Sequence, residues 1–254
     1  MVEAKLPKSL SLVSSGAFSA CYSLKKMEVN SNITTSGISG TGSWNGSPKL
    51  RTATPIGGGG DFEFSWDKTI IGNAFRNSYF ENIIIPEGVT LLDGSAFYGC
   101  RYLESVEIPN SVKEIKSDCF NTCAALKSVI IPESVKSIGT SIFAGCVNLS
   151  EVKVLGITAM THSMFNGCVN LTHATIGMIG KAVTSADSRA FLNCTQKSLV
   201  IEVYTTPQYM QTILTNIRNN ATNAKIIVRA SQATVYDGTE YAAGDVLMIS
   251  EVTA

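Results

Sequence analysis

The chain has 254 residues, of which 44% are hydrophobic and only 16% are charged. Its 20 basic and 20 acidic side chains cancel, so no overall field would draw it to nucleic acid or to an anionic membrane surface. No apolar run reaches the length of about 18 residues that a membrane-spanning helix needs, and no secretory signal is recognisable near Met1.

A motif of the form Phe-x-x-Cys-x-x-Leu begins near the N-terminus and recurs along most of the chain. Its first copy occupies residues 18–24. The second unit, at 30–54, is divergent: Trp44 takes the position of the Phe and Ser47 that of the Cys. The motif nevertheless keeps its internal spacing, so we interpret this stretch as a repeat unit too.

The third unit, at 55–84, carries an insertion at 56–69. Its Gly57–Gly60 run is not a phosphate-binding loop, because no Gly-Lys-Ser/Thr closes it and no helical pattern follows. An inserted strand comes next, and its aromatic residues share one face: Phe62, Phe64 and Trp66. These rings either fold back to cover the imperfect unit or form an exposed aromatic patch for a partner or a sugar ring.

Between residues 85 and 149 the motif repeats at an interval of 23 residues. The recurring positions are Pro86, Pro109 and Pro132; Phe97, Phe120 and Phe143; Cys100, Cys123 and Cys146; and Leu103, Leu126 and Leu149. A fixed period of this length is the signature of a solenoid, in which each unit buries its apolar face against its neighbours.

Within each unit the pattern predicts one short strand. The segment from Leu126 has apolar residues at strand spacing, and Pro132 ends it because proline cannot donate to a sheet ladder. Stacked units then predict a parallel sheet on one side and irregular or short helical segments on the other. Two later copies follow at altered intervals, with Phe165 after 22 residues and Phe191 after 26.

The pattern changes near residue 204, and we expect a separate C-terminal part. Thr206-Pro207 is typical of a helix start. Residues 225–228 predict a strand, and Asp237-Gly238 a hairpin turn. The sequence therefore predicts a solenoid of about eight repeats at 1–203 and, at 204–254, a cap over its last apolar layer.

The seven cysteines follow from the repeat. Cys119 directly precedes a Phe, and the other six stand three residues after one: Cys21, Cys100, Cys123, Cys146, Cys168 and Cys194. We interpret all seven as small buried hydrophobic residues. Cysteines of neighbouring units would lie within bridging distance, but their parallel Cβ directions disfavour a bond, so we expect free, unreactive thiols.

The complete unit I-P-x-S-V-x-x-I-x-x-x-A-F-x-x-C-x-x-L-x-S-V resembles the leucine-rich repeat of the BspA type over residues 6–203. The resemblance implies an α/β solenoid: a curved array with its parallel sheet on the concave face, here followed by the helix and hairpin cap. It also implies a location on or outside the cell and a role in binding host proteins or other cells. Catalysis and cofactors are not implied.

The residues that could support catalysis are few. Only two histidines occur, His162 and His173, and no metal-binding or nucleophile motif accompanies them. Glu107 and Glu151 would lie about 10 Å apart on an open sheet face, slightly beyond the separation used by an inverting glycosidase. We therefore predict no enzyme, no cofactor and no metal site.

Outward positions of the predicted strands form a strip of side chains about 5 Å apart from one unit to the next. The strip mixes apolar and charged groups: Glu28, Ile84, Glu107, Ile130, Glu151, Lys153 and His173. With Phe62, Phe64 and Trp66 it is our candidate surface for a protein or glycan partner. The alternative is a solvated sheet face with incidental isoleucines.

These observations favour a non-catalytic binding or adhesion protein whose partner is a protein or glycan on another cell or particle. The resemblance places it at the cell surface or in the medium, although no signal is seen. The alternative is a structural or receptor-binding component of a larger particle such as a bacteriophage virion or tail, located in the virion or cytoplasm. That alternative predicts a self-association surface; the ligand and the oligomeric state stay open.

Overall fold

The computed structural model describes residues 2–10, 17–18, 20–30, 47–65, 68–70 and 72–250. In chain order the strands are β1 (Glu3–Leu6), β2 (Lys26–Asn30), β3 (Thr52–Pro55), β4 (Phe62–Ser65), β5 (Thr69–Ile70), β6 (Asn82–Ile84), β7 (Leu91–Leu92), β8 (Ser105–Glu107), β9 (Glu114–Ile115), β10 (Ser128–Ile131), β11 (Ser137–Ile138), β12 (Glu151–Val154), β13 (Ala159–Met160), β14 (His173–Ile176), β15 (Ser185–Ala186), β16 (Val200–Thr205), β17 (Lys225–Ala230), β18 (Thr234–Tyr236), β19 (Thr239–Tyr241) and β20 (Val246–Ser250). The helix α1 (Pro207–Arg218) lies between β16 and β17.

The main sheet is a stack of strands from successive turns of a solenoid, all parallel except the last, β20. Its order is β1-β2-β4-β3-β6-β8, continued by β10-β12-β14-β16-β17-β20. At the junction of the two halves, the Lys127 N–H donates to the Glu104 carbonyl at 3.3 Å. Alternate residues point inward, so Val152 and Val154 are fully buried while Glu151 is exposed. The predicted parallel sheet with an inward and an outward face is confirmed.

Outside the main sheet, the described turns of the solenoid contain only short strands and the turns that carry the Phe. Two-residue strands pair in the order β11-β9-β7-β5, and β13 pairs with β15. The segment around each Phe is a turn that is also hydrogen-bonded to the next unit, since the Phe97 N–H donates to the Cys119 carbonyl at 2.9 Å. Residues with positive φ flank the ring, such as Asp118 (60°) and Thr122 (58°) around Phe120. In the described solenoid turns these irregular segments are turns and short strands rather than helices.

A column of stacked phenylalanine rings fills the core. Consecutive members lie 5.1–5.9 Å apart: Phe75, Phe97, Phe120, Phe143, Phe165 and Phe191. Each of these rings is at most 1% exposed. The column therefore joins successive turns of the solenoid by ring stacking, in addition to the hydrogen bonds of the sheet and of the Phe-bearing turns.

The insertion supplies an extra strand to the main sheet. Strand β4 pairs in parallel with β2 on one side and with β3 on the other, so it lies before β3 in space although it follows β3 in sequence. The six residues 56–61 must therefore return along β3. Gly60 permits this, since a Cβ there would lie 2.6 Å from the Thr52 carbonyl oxygen. The glycine run is thus a close-packed return loop.

The C-terminal part contains the predicted helix and hairpin. Pro207 begins α1 after an extended Thr206, whose side chain makes no capping hydrogen bond. Asp237 and Gly238 both have positive φ, 48° and 74°, as a two-residue hairpin turn requires. The apolar face of α1 is buried through Met210, Ile213, Leu214 and Ile217.

The main sheet continues across the boundary predicted between residues 203 and 204. Strands β16 and β17 pair in parallel over six residues, with α1 as their crossover connection. Strand β20 then adds in antiparallel orientation. Arg218 joins the end of α1 to this edge by donating to the Ser250 carbonyl at 2.6 Å.

All seven cysteines are free, as predicted, and six are buried. Their hydrogen bonds were not predicted from the sequence. Five of the thiols donate to a Phe carbonyl of the preceding turn at 3.0–3.2 Å, namely those of Cys100, Cys123, Cys146, Cys168 and Cys194. Ser47 donates to the Phe18 carbonyl in the same way, at 3.0 Å. Serine at position 47 therefore preserves the hydrogen bond that cysteine makes in other units.

Candidate functional site

The outward side of the main sheet from β6 to β17 forms an uncovered surface, which we call the open face. Strand register aligns its side chains in rows. Ile84 lies beside Glu107, Ile130 beside Lys153, and Glu151 beside His173. The structure thus brings six of the seven predicted strip residues onto one surface, in the register that the repeat predicts.

Two isoleucines of the open face are unusually exposed for their type. Ile130 is 56% exposed and Ile84 is 38% exposed, although both belong to regular strands. Glu107 lies on the strand between them and is exposed too. A partner that covers this region would bury apolar area at two points with a carboxylate in between, a mixture common in protein interfaces.

Charged groups concentrate toward the C-terminal half of the open face. Lys153 Nζ lies 3.4 Å from Glu151 Oε1 on the same strand. Glu202 accepts a hydrogen bond from Arg229 at 3.0 Å, and its other oxygen lies 3.9 Å from His173 Nε2. Both signs of charge are therefore presented within three neighbouring strands, β12, β14 and β16.

Sequence reasoning missed Glu202 and Arg229 as members of this cluster. Both lie near or beyond the predicted end of the solenoid, so the strip was not extended to them. Their outward position could nonetheless have been predicted, because in V-I-E-V-Y and K-I-I-V-R every second residue is apolar and points inward. That alternation shows the same strand pattern as the earlier units.

Glu28 belongs to the same sheet but lies apart from the other six strip residues. Strands β4 and β3 stand between β2 and β6. Glu28 is instead paired with Lys5 at 2.7 Å, and its side chain is 19% exposed. The sequence predicts one unit between β2 and β6, and the insertion adds a second strand there.

The return loop of the insertion also covers the sheet between Glu28 and Ile84. Gly59 N–H donates to Glu63 at 2.9 Å, and Gly60 N–H donates to the Thr54 hydroxyl at 3.1 Å. As a result Glu63 and Thr54 are only 6% and 3% exposed, although both occupy outward positions. The open face consequently begins at β6.

Phe62 and Phe64 do not form an exposed aromatic patch. Both are fully buried, and their centroids lie 5.5 and 5.3 Å from that of Phe75 at steep angles. They belong to the core under the imperfect unit, which is the alternative that the sequence left open. Trp66, the third member of the predicted patch, lies outside the described residues.

The structure shows no arrangement typical of a catalytic centre on the open face. Within the described residues no three His, Cys, Asp or Glu side chains are grouped to hold a metal ion. His162 lies elsewhere, on the side of the short strands, with Nδ1 3.3 Å from Asp187. Burial raises the pKa of the Cys100 and Cys146 thiols to about 12, so these groups stay protonated and are poor nucleophiles.

An uncovered parallel sheet face on a stack of short repeats defines a class of repeat protein that presents an extended binding surface. The chain belongs to the BspA type leucine-rich repeat family, whose sequence profile matches residues 1–41 and 68–228 in six copies. The gap between the two matched ranges corresponds to the divergent and inserted units. The predicted family is confirmed, and proteins built from such repeats generally mediate protein binding or adhesion.

Solved structures of bacterial leucine-rich repeat proteins are similar to this fold. The pneumococcal vaccine antigen PcpA has 17% identity and a TM-score of 0.54, with 90% of this chain and 68% of PcpA covered. The leucine-rich repeat protein of T. pallidum has 19% identity and a TM-score of 0.48, with 85% and 83% covered. No curated protein sequence matches. Among the described residues no helix is long and apolar enough to cross a membrane.

Proposed function

We propose that this protein is a non-catalytic recognition protein that binds a protein or glycan partner through its open face. The observation that supports this most directly is the exposure of Ile130, 56%, in the middle of a regular strand beside Lys153. The exposed part of this side chain gains nothing from the fold, whereas a partner that buries it gains roughly half of the about 1.5–3 kcal/mol that full burial of an isoleucine supplies.

The family to which the chain belongs supports a location at the cell surface or in the medium. The open face would then be available to molecules of another cell or particle. Charges of both signs around Glu151 and Lys153 would orient the partner and select against surfaces of uniform charge.

The test uses immobilised extracellular matrix proteins, a glycan array and intact cells, probed with wild-type protein and two variants. Ile130→Asp replaces the exposed apolar side chain of the proposed interface by a carboxylate. Ile179→Asp is the matched control, because Ile179 is 54% exposed but lies in the loop after β14. We expect I130D to weaken binding by at least about tenfold, and I179D to leave it unchanged. Equal binding by wild type and I130D would refute the open face as the site.

A role as a component of a larger particle remains a second candidate because the main sheet ends in an open strand edge. Strand β20 pairs with β17 on one side, and in the described part of the chain no strand pairs with its other side. Its Ile249 and Val246 are 51% and 37% exposed. Such an unprotected apolar edge favours pairing with a second strand.

Fractionation of the native source distinguishes the two functions. Surface or medium localisation of the protein supports recognition between cells, whereas sedimentation with particles supports assembly. For assembly we expect sedimentation velocity to show concentration-dependent association that Ile249→Lys abolishes. A wild-type chain that stays monomeric at the highest soluble concentration would eliminate association through this edge.

A further inference from the structure

A cavity of about 290 Å³ lies beside the start of β6 and β8, at the lateral edge of the main sheet. We call it the tyrosine pocket, and its lining residues are Asn77, Ser78, Tyr79, Gly99, Arg101 and Tyr102. It is separate from the open face and shares none of the residues of the proposed partner-binding surface. Its volume is at the lower end of small-molecule sites, about 300–1,000 Å³, which suits a ligand of one or two rings.

Two stacked tyrosines form one wall of the tyrosine pocket. Tyr79 and Tyr102 occupy the same position in successive units, and their rings lie 5.3 Å apart at 17°. The equivalent residue of the next unit is Ala125, whose short side chain leaves Tyr102 49% exposed. Arg51 is held 5.3 Å from the centre of the Tyr102 ring and helps to fix the pair.

The charges around the tyrosine pocket leave a positive excess. The two nearby carboxylates are neutralised, Glu81 by Arg51 at 3.1 Å and Glu104 by Lys127 at 2.6 Å. Arg101 is exposed and has no acidic partner within the described residues. Its planar guanidinium is free to bind a carboxylate through two parallel hydrogen bonds.

Polar groups and a required glycine complete the tyrosine pocket. Ser78 occupies the position that holds cysteine in other units, and its buried hydroxyl has no hydrogen-bond partner among the described residues. Gly99 keeps the cavity open: it has φ of 71°, and a Cβ there would lie 2.1 Å from Asn77 Oδ1. An unsatisfied buried hydroxyl is costly unless a ligand or water bonds to it.

We propose that the tyrosine pocket binds an acidic saccharide, a sugar ring that carries a carboxylate. Tyr79 covers one face of the Tyr102 ring. The other face carries partial negative charge and attracts the weakly positive C–H bonds on one side of a pyranose. Arg101 binds the carboxylate, and the amide of Asn77 is available for sugar hydroxyls. A peptide ligand fits less well, because a cavity of about 290 Å³ has room for only one or two rings.

The experiment is saturation-transfer NMR with the purified full chain and four probes at millimolar concentration: glucuronic acid, N-acetylneuraminic acid, glucose and N-acetylglucosamine. We expect transfer to the two acidic sugars. Tyr102→Ala should weaken their binding by at least about tenfold, whereas Tyr102→Phe, which keeps the ring, retains most of it. Arg101→Gln should remove the preference for acidic over neutral sugars.

Two control variants separate this site from other surfaces. Tyr22→Ala removes a tyrosine that is 66% exposed in the first unit, and Ile130→Asp alters the open face. Both should bind the acidic sugars like wild type, and unchanged melting temperatures verify that every variant is folded. The proposal is overturned if no acidic sugar shows transfer, if Y102A binds as wild type does, or if transfer is lost equally in Y22A. Failure of I130D to bind its macromolecular partner would leave sugar binding in this pocket unaffected.

Discussion

Replacement of Phe120 by alanine tests whether the phenylalanine column holds the solenoid together. Phe120 is fully buried, and its ring is nearly parallel to those of Phe97, at 5.2 Å, and Phe143, at 5.7 Å. The substitution leaves a gap in the column between two turns of the solenoid. Neither turn can move inward freely, because each is hydrogen-bonded to its neighbours through the sheet and through the Phe-bearing turns.

The expected cost combines lost burial with an unfilled cavity. Phe to Ala changes in protein cores cost about 3–5 kcal/mol, and sites that cannot collapse fall toward the upper end of that range. Loss of two stacked ring pairs, each worth about 0.5–1.5 kcal/mol beyond burial, acts in the same direction. We therefore expect F120A to lower the free energy of unfolding by about 4–5 kcal/mol.

Urea denaturation followed by circular dichroism measures this loss. Phe120→Leu, which fills part of the space, should fall between wild type and F120A. Ile130→Ala is the surface control, because Ile130 is 56% exposed, and should change stability by less than about 0.5 kcal/mol. A loss below about 1 kcal/mol for F120A would refute the proposed importance of the column.

Two further predictions concern the cysteines and the return loop. In native protein at pH 8 we expect an aromatic disulfide reagent to modify only the partly exposed Cys21 rapidly, and all seven thiols after denaturation; fast reaction of a second thiol would contradict this. Burial raises the pKa of the Cys100 thiol to about 12, above its unfolded value of about 8.5. The contribution of this buried, protonated thiol to the free energy of unfolding is therefore complete below about pH 8.5 and is lost as the pH rises toward 12. Gly60→Ala should destabilise the fold by about 1–3 kcal/mol, because its Cβ would lie 2.6 Å from a backbone oxygen. Gly94→Ala, whose nearest contact would be 3.6 Å, should melt like wild type; equal melting of both variants would exclude close packing of the loop.

Much of the fold was predictable because a repeat unit contacts only its neighbours. The interval between Phe97, Phe120 and Phe143 determines which side chains stack, and the strand period determines which side of the sheet each residue faces. The row that joins Ile130 to Lys153 followed from these two facts. The helix start at Pro207 and the hairpin turn at Asp237 followed from local turn chemistry.

The insertion was not predictable in this way, because the period is lost there. Nothing in the spacing indicates that β4 would pair between β2 and β3, out of sequence order. This strand order is favoured because it buries Phe62 and Phe64 together beneath the imperfect unit. The burial energy comes from contacts between residues far apart in the chain. The burial of Glu63 and the displacement of Glu28 from the open face are its consequences.

The sequence by itself determined the solenoid, the residues of its core and the register of its regular strands, because a repeated local pattern needs no long-range information. Only the tertiary structure decided where the open face begins, how Glu202 and Arg229 join it, and that Arg51 reaches Tyr102 beside a cavity. These features depend on which strands become neighbours. Strand order in the irregular units is determined by the packing of the whole core rather than by any single unit.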